Sequence, residues 1–201
     1  MNLTKGFTNF DNVASAAYPV GTVPCDRLLL LITSGASMGA IAGWNISNSE
    51  VNWGSPPNRF TRVYSRVAGV ETSVNFGFAG ADGILLDMFP ADITVIGTPS
   101  EVNGSPNPIP SLTVTDTSTQ VTELFAQDGN TIVAPPVGWT AISTFFTARP
   151  AGYLAAYQNV VALGPTGVVN QALSSGSRSV GVLSQITTAL PFGGAQILWE
   201  A

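Results

Sequence analysis

No stretch of this chain carries an apolar repeat of 3.6 residues long enough, and capped well enough, to make more than a turn or two of helix. Almost every segment instead reads as a short run rich in Val, Ile, Thr and aromatic residues, bounded by Gly, Pro, Asn and Ser, which is the pattern of β-strands. Residues 28–33 are continuously apolar, as in a strand buried on both faces. Residues 59–67 mix polar and apolar positions and suit a half-exposed strand. In 72–78, Val74, Phe76 and Phe78 alternate with Ser73, Asn75 and Gly77. Further strands are predicted over 83–89, 112–115, 121–126, 131–133, 139–146, 152–157, 168–173, 179–186 and 196–199, with an Asp128-Gly129-Asn130 turn between two of them. The four-proline segment 99–110 has no period and is expected to be a loop.

So many short strands at this spacing predict an all-β fold, an antiparallel β-sandwich of jelly-roll-like type in a single domain over 19–201. Its inward faces are expected to hold Leu29, Leu31, Val74, Phe76, Leu85 and Leu124. Leu28 and Leu30 then point the other way, so a loop, the N-terminal segment or another subunit must cover them. Residues 1–18 mix Phe7, Phe10 and Val13 with Asn9, Asp11 and Asn12 and show no strand period. They are read as an arm outside the sandwich, with Phe7 and Phe10 as anchors on a neighbour. A faint internal echo pairs Gly43-Trp44 with Gly138-Trp139, read as two tryptophans entering the core from turns.

Charged residues are 9% of the chain, against roughly 25% in ordinary soluble proteins. With 45% hydrophobic residues, that predicts apolar surface covered by other subunits, in a homo-oligomer with a trimer favoured. The longest apolar run is far short of the roughly 20 residues of a spanning helix, and Lys5 is followed by polar residues rather than an apolar signal core. The chain is read as neither membrane-inserted nor secreted, so the sequons at Asn2, Asn45 and Asn103 are taken as chance matches. The net charge of −5 speaks against nucleic acid, and Arg62 and Arg66 are read as one solvated or interfacial strand face. The lone Cys25 forms no intrachain disulfide and is expected to be a small core residue.

There is no histidine, which excludes Ser-His-Asp and Cys-His catalysis and the usual zinc sites. Asp82, Asp87 and Asp92 form the one tight carboxylate cluster, and a glycosidase needs only two such groups. Asp82 and Asp92 are read as turn residues, however, and the spacing does not put all three on one face. No EF-hand loop, Walker lysine or phosphate-binding glycine motif occurs, so no cofactor and no metal are expected, and the chain is read as not an enzyme. Of the tryptophans, Trp53 sits in an apparent loop and is the candidate binding residue, although packing is the favoured role for it.

Pro19-Val20-Gly21-Thr22-Val23 with Asp26-Arg27-Leu28-Leu29-Leu30-Leu31, then Gly43-Trp44, 63–68 (Val-Tyr-Ser-Arg-Val-Ala) and 83–86 (Gly-Ile-Leu-Leu), resembles the jelly-roll β-sandwich domain of tailed-bacteriophage virion proteins. Leu124-Phe125-Ala126, 136–140 (Pro-Val-Gly-Trp-Thr) and Ala155-Ala156-Tyr157 extend the resemblance into the second half. Cys25 stands where that family has a glycine. The resemblance implies a virion protein made in the host cytoplasm, with the major capsid protein or other virion proteins as partners. The expected role is capsid decoration, a cement protein bound between capsomers. The alternative is a tail-fibre or tail-adaptor module that recognises host glycans through Trp53 and the loops 47–58 and 99–110.

Overall fold

The computed structural model describes residues 3–53, 59–89, 91–116, 119–129, 133–148, 151–160, 162–173 and 178–188, and among them every regular element is a strand. The first half of the chain forms β1 (Thr4–Val13), β2 (Ser15–Ala17), β3 (Arg27–Ser34), β4 (Asn45–Ile46), β5 (Val51–Trp53), β6 (Arg59–Val67), β7 (Ser73–Asn75) and β8 (Ala81–Met88). The second half forms β9 (Ala91–Ile96), β10 (Ser100–Asn103), β11 (Asn107–Ile109), β12 (Thr113–Val114), β13 (Thr119–Asp128), β14 (Thr140–Thr147), β15 (Ala151–Asn159), β16 (Gly164–Pro165), β17 (Val169–Gln171) and β18 (Arg178–Thr188). One six-stranded antiparallel sheet runs β1-β8-β3-β6-β4, with β5 also on β6. The other runs β10-β18-β13-β15-β14, with β9 also on β18. Small ribbons β2-β7, β11-β17 and β12-β16 complete the pairing.

The all-β sandwich is therefore what the sequence predicts, with one feature it does not announce: each sheet is drawn from one contiguous half of the chain, and the two halves have the same topology. Strands β1, β3, β6 and β8 occupy in the first sheet the places of β9/β10, β13, β15 and β18 in the second. The edge pair β4/β5 matches β14, and the β2-β7 ribbon matches β11-β17. Side-chain register agrees with this. Gly83 pairs with Ile32 and Gly181 with Phe125. A Cβ at Gly83 would strike the Leu31 carbonyl oxygen and the Phe10 ring, and one at Gly181 the Ile109 side chain, so both glycines leave room for an outer-layer side chain. The Gly-Trp echo falls at matching places too: Gly43 (φ 75°) and Gly138 (φ 84°) make the turns entering β4 and β14. The Trp44 and Trp139 amides each bond a carbonyl three residues back, at Ile41 and Pro136.

Alternation sorts the side chains into three layers. Leu29, Leu31, Val63, Ile84 and Leu86 of the first sheet meet Leu124, Ala126, Tyr153, Val182 and Ile186 of the second in the core between the sheets. Leu28, Leu30, Ile32 and Leu85 face outward but are equally buried, under Phe10, Ala16, Tyr18, Trp44, Val74 and Phe76. On the far side Val121, Phe125, Leu154 and Leu183 are covered by Ile109, Leu112, Val114, Val133 and Val169. The expected inward set thus divides: Leu29, Leu31 and Leu124 lie between the sheets, whereas Leu85, Val74 and Phe76 belong to the outer layer of the first.

The N-terminal arm is corrected. Residues 4–13 are the edge strand of the first sheet, paired with β8 from Thr4↔Met88 to Val13↔Ala81, and β2 adds to the lid over its outer face. Polar Thr8 and Asn12 do not oppose this, because an edge strand exposes much of itself and takes Asn and Asp where a bulge interrupts its register, as it does between Phe10 and Val13. The segment 99–110 is likewise no plain loop: β10 and β11 lie within it, Pro108 being tolerated in the two-stranded β11-β17 ribbon. Asp82 and Asp92 sit on strands β8 and β9, not in turns. The strand expected over 72–78 shortens to β7, and those expected over 131–133 and 196–199 lie wholly or largely outside the described residues.

Candidate functional site

The loop from Tyr18 to Asp26, between β2 and β3, folds over one end of the first sheet. Its turns are local: the Thr22 amide donates to the Pro19 carbonyl (3.1 Å), and the Val23 amide donates to Asp26 Oδ2 (2.9 Å). Cys25 closes the loop with φ 78°, a left-handed conformation ordinarily left to glycine. Its amide donates to the Ala68 carbonyl, and the Ala68 amide returns a bond to the Asp26 carbonyl. Cys25 is exposed, which corrects its reading as a core residue.

Beneath the loop lie two fully buried carboxyl groups, Asp26 and Asp87. Lys5 Nζ, from β1, is 2.7 Å from Asp26 Oδ2. Thr22 Oγ1 lies 2.7 Å from Asp87 Oδ2 and 2.8 Å from the Pro19 carbonyl oxygen. The remaining oxygens, Asp26 Oδ1 and Asp87 Oδ1, are buried without a hydrogen-bond partner. Burial, first of all, pushes the Asp87 carboxyl up to about 6. The Thr22 hydroxyl and the Lys5 charge oppose that rise, while the charge of Asp26 adds to it. The matching position in the second half is Gln185, whose side-chain amide donates to Thr115 Oγ1 (3.0 Å) and accepts from the Thr115 amide (3.3 Å). The same clasp is built there from neutral groups.

Around this cluster several apolar side chains are exposed. Val20 is 99% exposed and Val70 89%, and Val23, Val67 and Phe89 are about half exposed. The Cys25–Ala68 bonds bring the Val20–Val23 loop beside Val67 and Val70. Lys5, whose Nζ stands 5.3 Å from the centre of the Phe89 ring, ties Phe89 to the same end. Five apolar side chains gathered round one end make a rim, unlike isolated exposed apolar residues, which are ordinary on a protein surface.

The residues singled out from sequence go elsewhere. Trp53 ends β5 and is buried in the inter-sheet core, its Nε1 donating to Thr61 Oγ1 (2.6 Å), so the packing role holds and it is not available to stack on a sugar. Phe10 lies in the outer core with its ring 5.1 Å from that of Phe76. Phe7, on β1, is 45% exposed. Trp44 is buried, Trp139 half-buried, and Trp199 lies outside the described residues. Arg62 and Arg66 do share the outward face of β6, but they are engaged rather than free. Arg62 Nη1 donates to the Met38 carbonyl (2.6 Å), and Arg66 lies over Trp44 and pairs with Glu71.

The three aspartates do not converge. Asp82 accepts from the Asn12 amide (2.7 Å), Asp87 belongs to the clasp, and Asp92 pairs with Arg27 (2.6 Å). Asp82 and Asp87 are five residues apart on one strand and on opposite faces, so about 16 Å separates them. A glycosidase pair stands roughly 5–9.5 Å apart.

Sequence reasoning missed the partnership of Lys5, Thr22 and Asp26, and it missed Glu123. The visible signal was Asp87 itself, a carboxylate embedded in the apolar run Ile84-Leu85-Leu86-Asp87-Met88. Glu123 occupies in the second half the register of Leu30 in the first. It is fully buried, neither carboxyl oxygen has a hydrogen-bond partner, and burial pushes it up to about 8. No family model, curated protein or solved structure matches the chain.

Proposed function

We propose that the chain is a structural component that works by docking into a larger assembly: a bacteriophage capsid decoration protein, acting as a homotrimer bound between capsomers. The observation that carries the docking is the apolar rim of Val20, Val23, Val67, Val70 and Phe89 at one end of the sandwich. Support for the virion setting comes from the resemblance of the opening strand and the Gly-Trp turns. The use of every aspartate of the 82–92 cluster in a structural bond favours assembly over hydrolysis.

The test is the mass of the particle in solution and its co-sedimentation with undecorated phage capsids, for the native chain and for Val20→Asp with Val70→Asp. A trimer that binds capsids, and a double variant that folds but fails to bind, is the expected result. A native monomer with no affinity for capsids overturns the proposal.

A tail module that grips host glycans keeps one supporting observation. A cleft of about 250 Å³ at the seam between the sheets is lined by Arg27, Asn45, Ser65, Arg66, Val67, Asp92 and Ile93, a set rich in hydrogen-bonding groups. It has no tryptophan platform. Binding on a glycan array that is lost in Asn45→Ala would favour this reading over decoration.

A further inference from the structure

The Thr22 hydroxyl has one hydrogen and two close acceptors, the Pro19 carbonyl at 2.8 Å and Asp87 Oδ2 at 2.7 Å. If Asp87 is a bare carboxylate, one of these contacts sets two oxygens together with no hydrogen between them. A proton on Asp87 supplies what is missing: Asp87 donates to Thr22, and Thr22 donates onward to Pro19. The charge balance points the same way. Among the described residues the charged groups facing Asp87 are Asp26 from the loop and Lys5 from β1, while Leu28 is its neighbour on β3 and Arg27 is turned to Asp92. Two carboxylates against one ammonium leave a single uncompensated negative charge in a buried place, and one bound proton removes it. A hard cation would need some six oxygen ligands, and Lys5 already holds the approach. The second half supplies the comparison, because Gln185 brings permanent hydrogens to Thr115 at the matching position.

We infer that Asp87 holds a proton that it donates to Thr22, and that this proton clasps the loop from Tyr18 to Asp26 to the sheet, firmly in acid and loosely towards neutral pH. The raised Asp87 pKa gives the window. The contribution is complete below about pH 4, where the aspartate of an opened loop is protonated as well, and it is lost as the pH climbs through about 6. The loop presents Val20 and Val23, so the order of the rim follows the proton. The inference stands on the loop alone and does not depend on what docks there.

Backbone amide hydrogen exchange of the native chain, corrected for intrinsic exchange rates, tests it between pH 4 and 8. Protection of the Val23 and Cys25 amides should fall roughly tenfold to a hundredfold across that range, while protection of the Thr115 amide at the Gln185 clasp stays level. In Asp87→Asn, the Val23 and Cys25 amides should lose this pH dependence. Equal, flat profiles in both loops, or a pH dependence unchanged in the variant, overturns the inference. Should the variant not fold, the side-chain carboxyl resonance of Asp87 in the native chain decides: a titration midpoint near 6 supports the clasp and one below 4.5 refutes it. Restoration of protection at pH 8 by calcium or magnesium would make the pair a cation seat instead, and would equally overturn it.

Discussion

At the scale of single residues, the chain carries two groups that a core-packing argument would not place where they are. Glu123 takes the place that Leu30 fills in the other half, in an apolar layer and with no hydrogen-bond partner. Its carboxyl is neutral in the fold and ionises freely in the unfolded chain, so the penalty is absent below about pH 4.5 and grows until about pH 8. Replacing it by the residue of its counterpart, Glu123→Leu, is expected to stabilise the protein by about 3 kcal/mol at pH 7. The advantage over the native chain should widen by about 1.4 kcal/mol per pH unit within that window, as urea unfolding at pH 5, 6 and 7 would measure. Cys25 is the second case. Its left-handed backbone costs an L-residue about 1–2 kcal/mol, offset in part by the extra freedom glycine has when unfolded, so Cys25→Gly should gain about 0.5–1 kcal/mol in the same assay. The glycine of the resembled family at the Cys25 position was the one signal for its backbone, and Glu123 gave none. Glu123 is a charged residue in a strand, a position that reads as solvent-facing, and the cover of Ile109, Leu112, Val114, Val133 and Val169 makes that face dry.

At the scale of elements, legibility follows burial. Strand β6 has the bounds the sequence predicts, because Val63 packs into the inter-sheet core while Phe60 and Tyr64 pack into the outer layer and Arg62 and Arg66 lie beside them. Strand β3 is read correctly as buried on both faces, and each face now has a named cover. Leu28→Ala and Leu29→Ala should therefore both cost about 2–5 kcal/mol in thermal or urea melts, although they point in opposite directions. In a sandwich with wet outer faces, only the inward change would do so. Strand β1 was missed because an edge strand needs little apolar pattern to pair. Its contribution is nevertheless structural, since it caps the edge of β8 and sends Phe10 into the outer layer. Removing residues 1–13 is expected to abolish cooperative unfolding, whereas loss of an arm outside the fold would leave the melt unchanged. Circular dichroism during heating separates the two.

At the scale of the whole molecule, the two sheets share one core and are tied at their rims by side chains from both halves. Arg59 pairs with Asp128 (3.1 Å), Ser143 bonds Asn9 (2.9 Å), and the Leu3 amide donates to Gln120 (2.8 Å). Neither sheet can expose its inner face without losing that layer, so the halves should unfold together, with calorimetric and van't Hoff enthalpies in agreement. Two resolved transitions would mean that each half is stable alone. The repeated topology has a further consequence. A chain that builds one architecture twice has a spare at every position, so one copy can hold the shape while its twin takes on a liability. Leu30 and Gln185 are the conservative members of their pairs, and Glu123 and Asp87 the proton-sensitive ones. Grafting the quiet residue of each pair onto its counterpart would give a protein of the same shape with these two proton-sensitive positions removed.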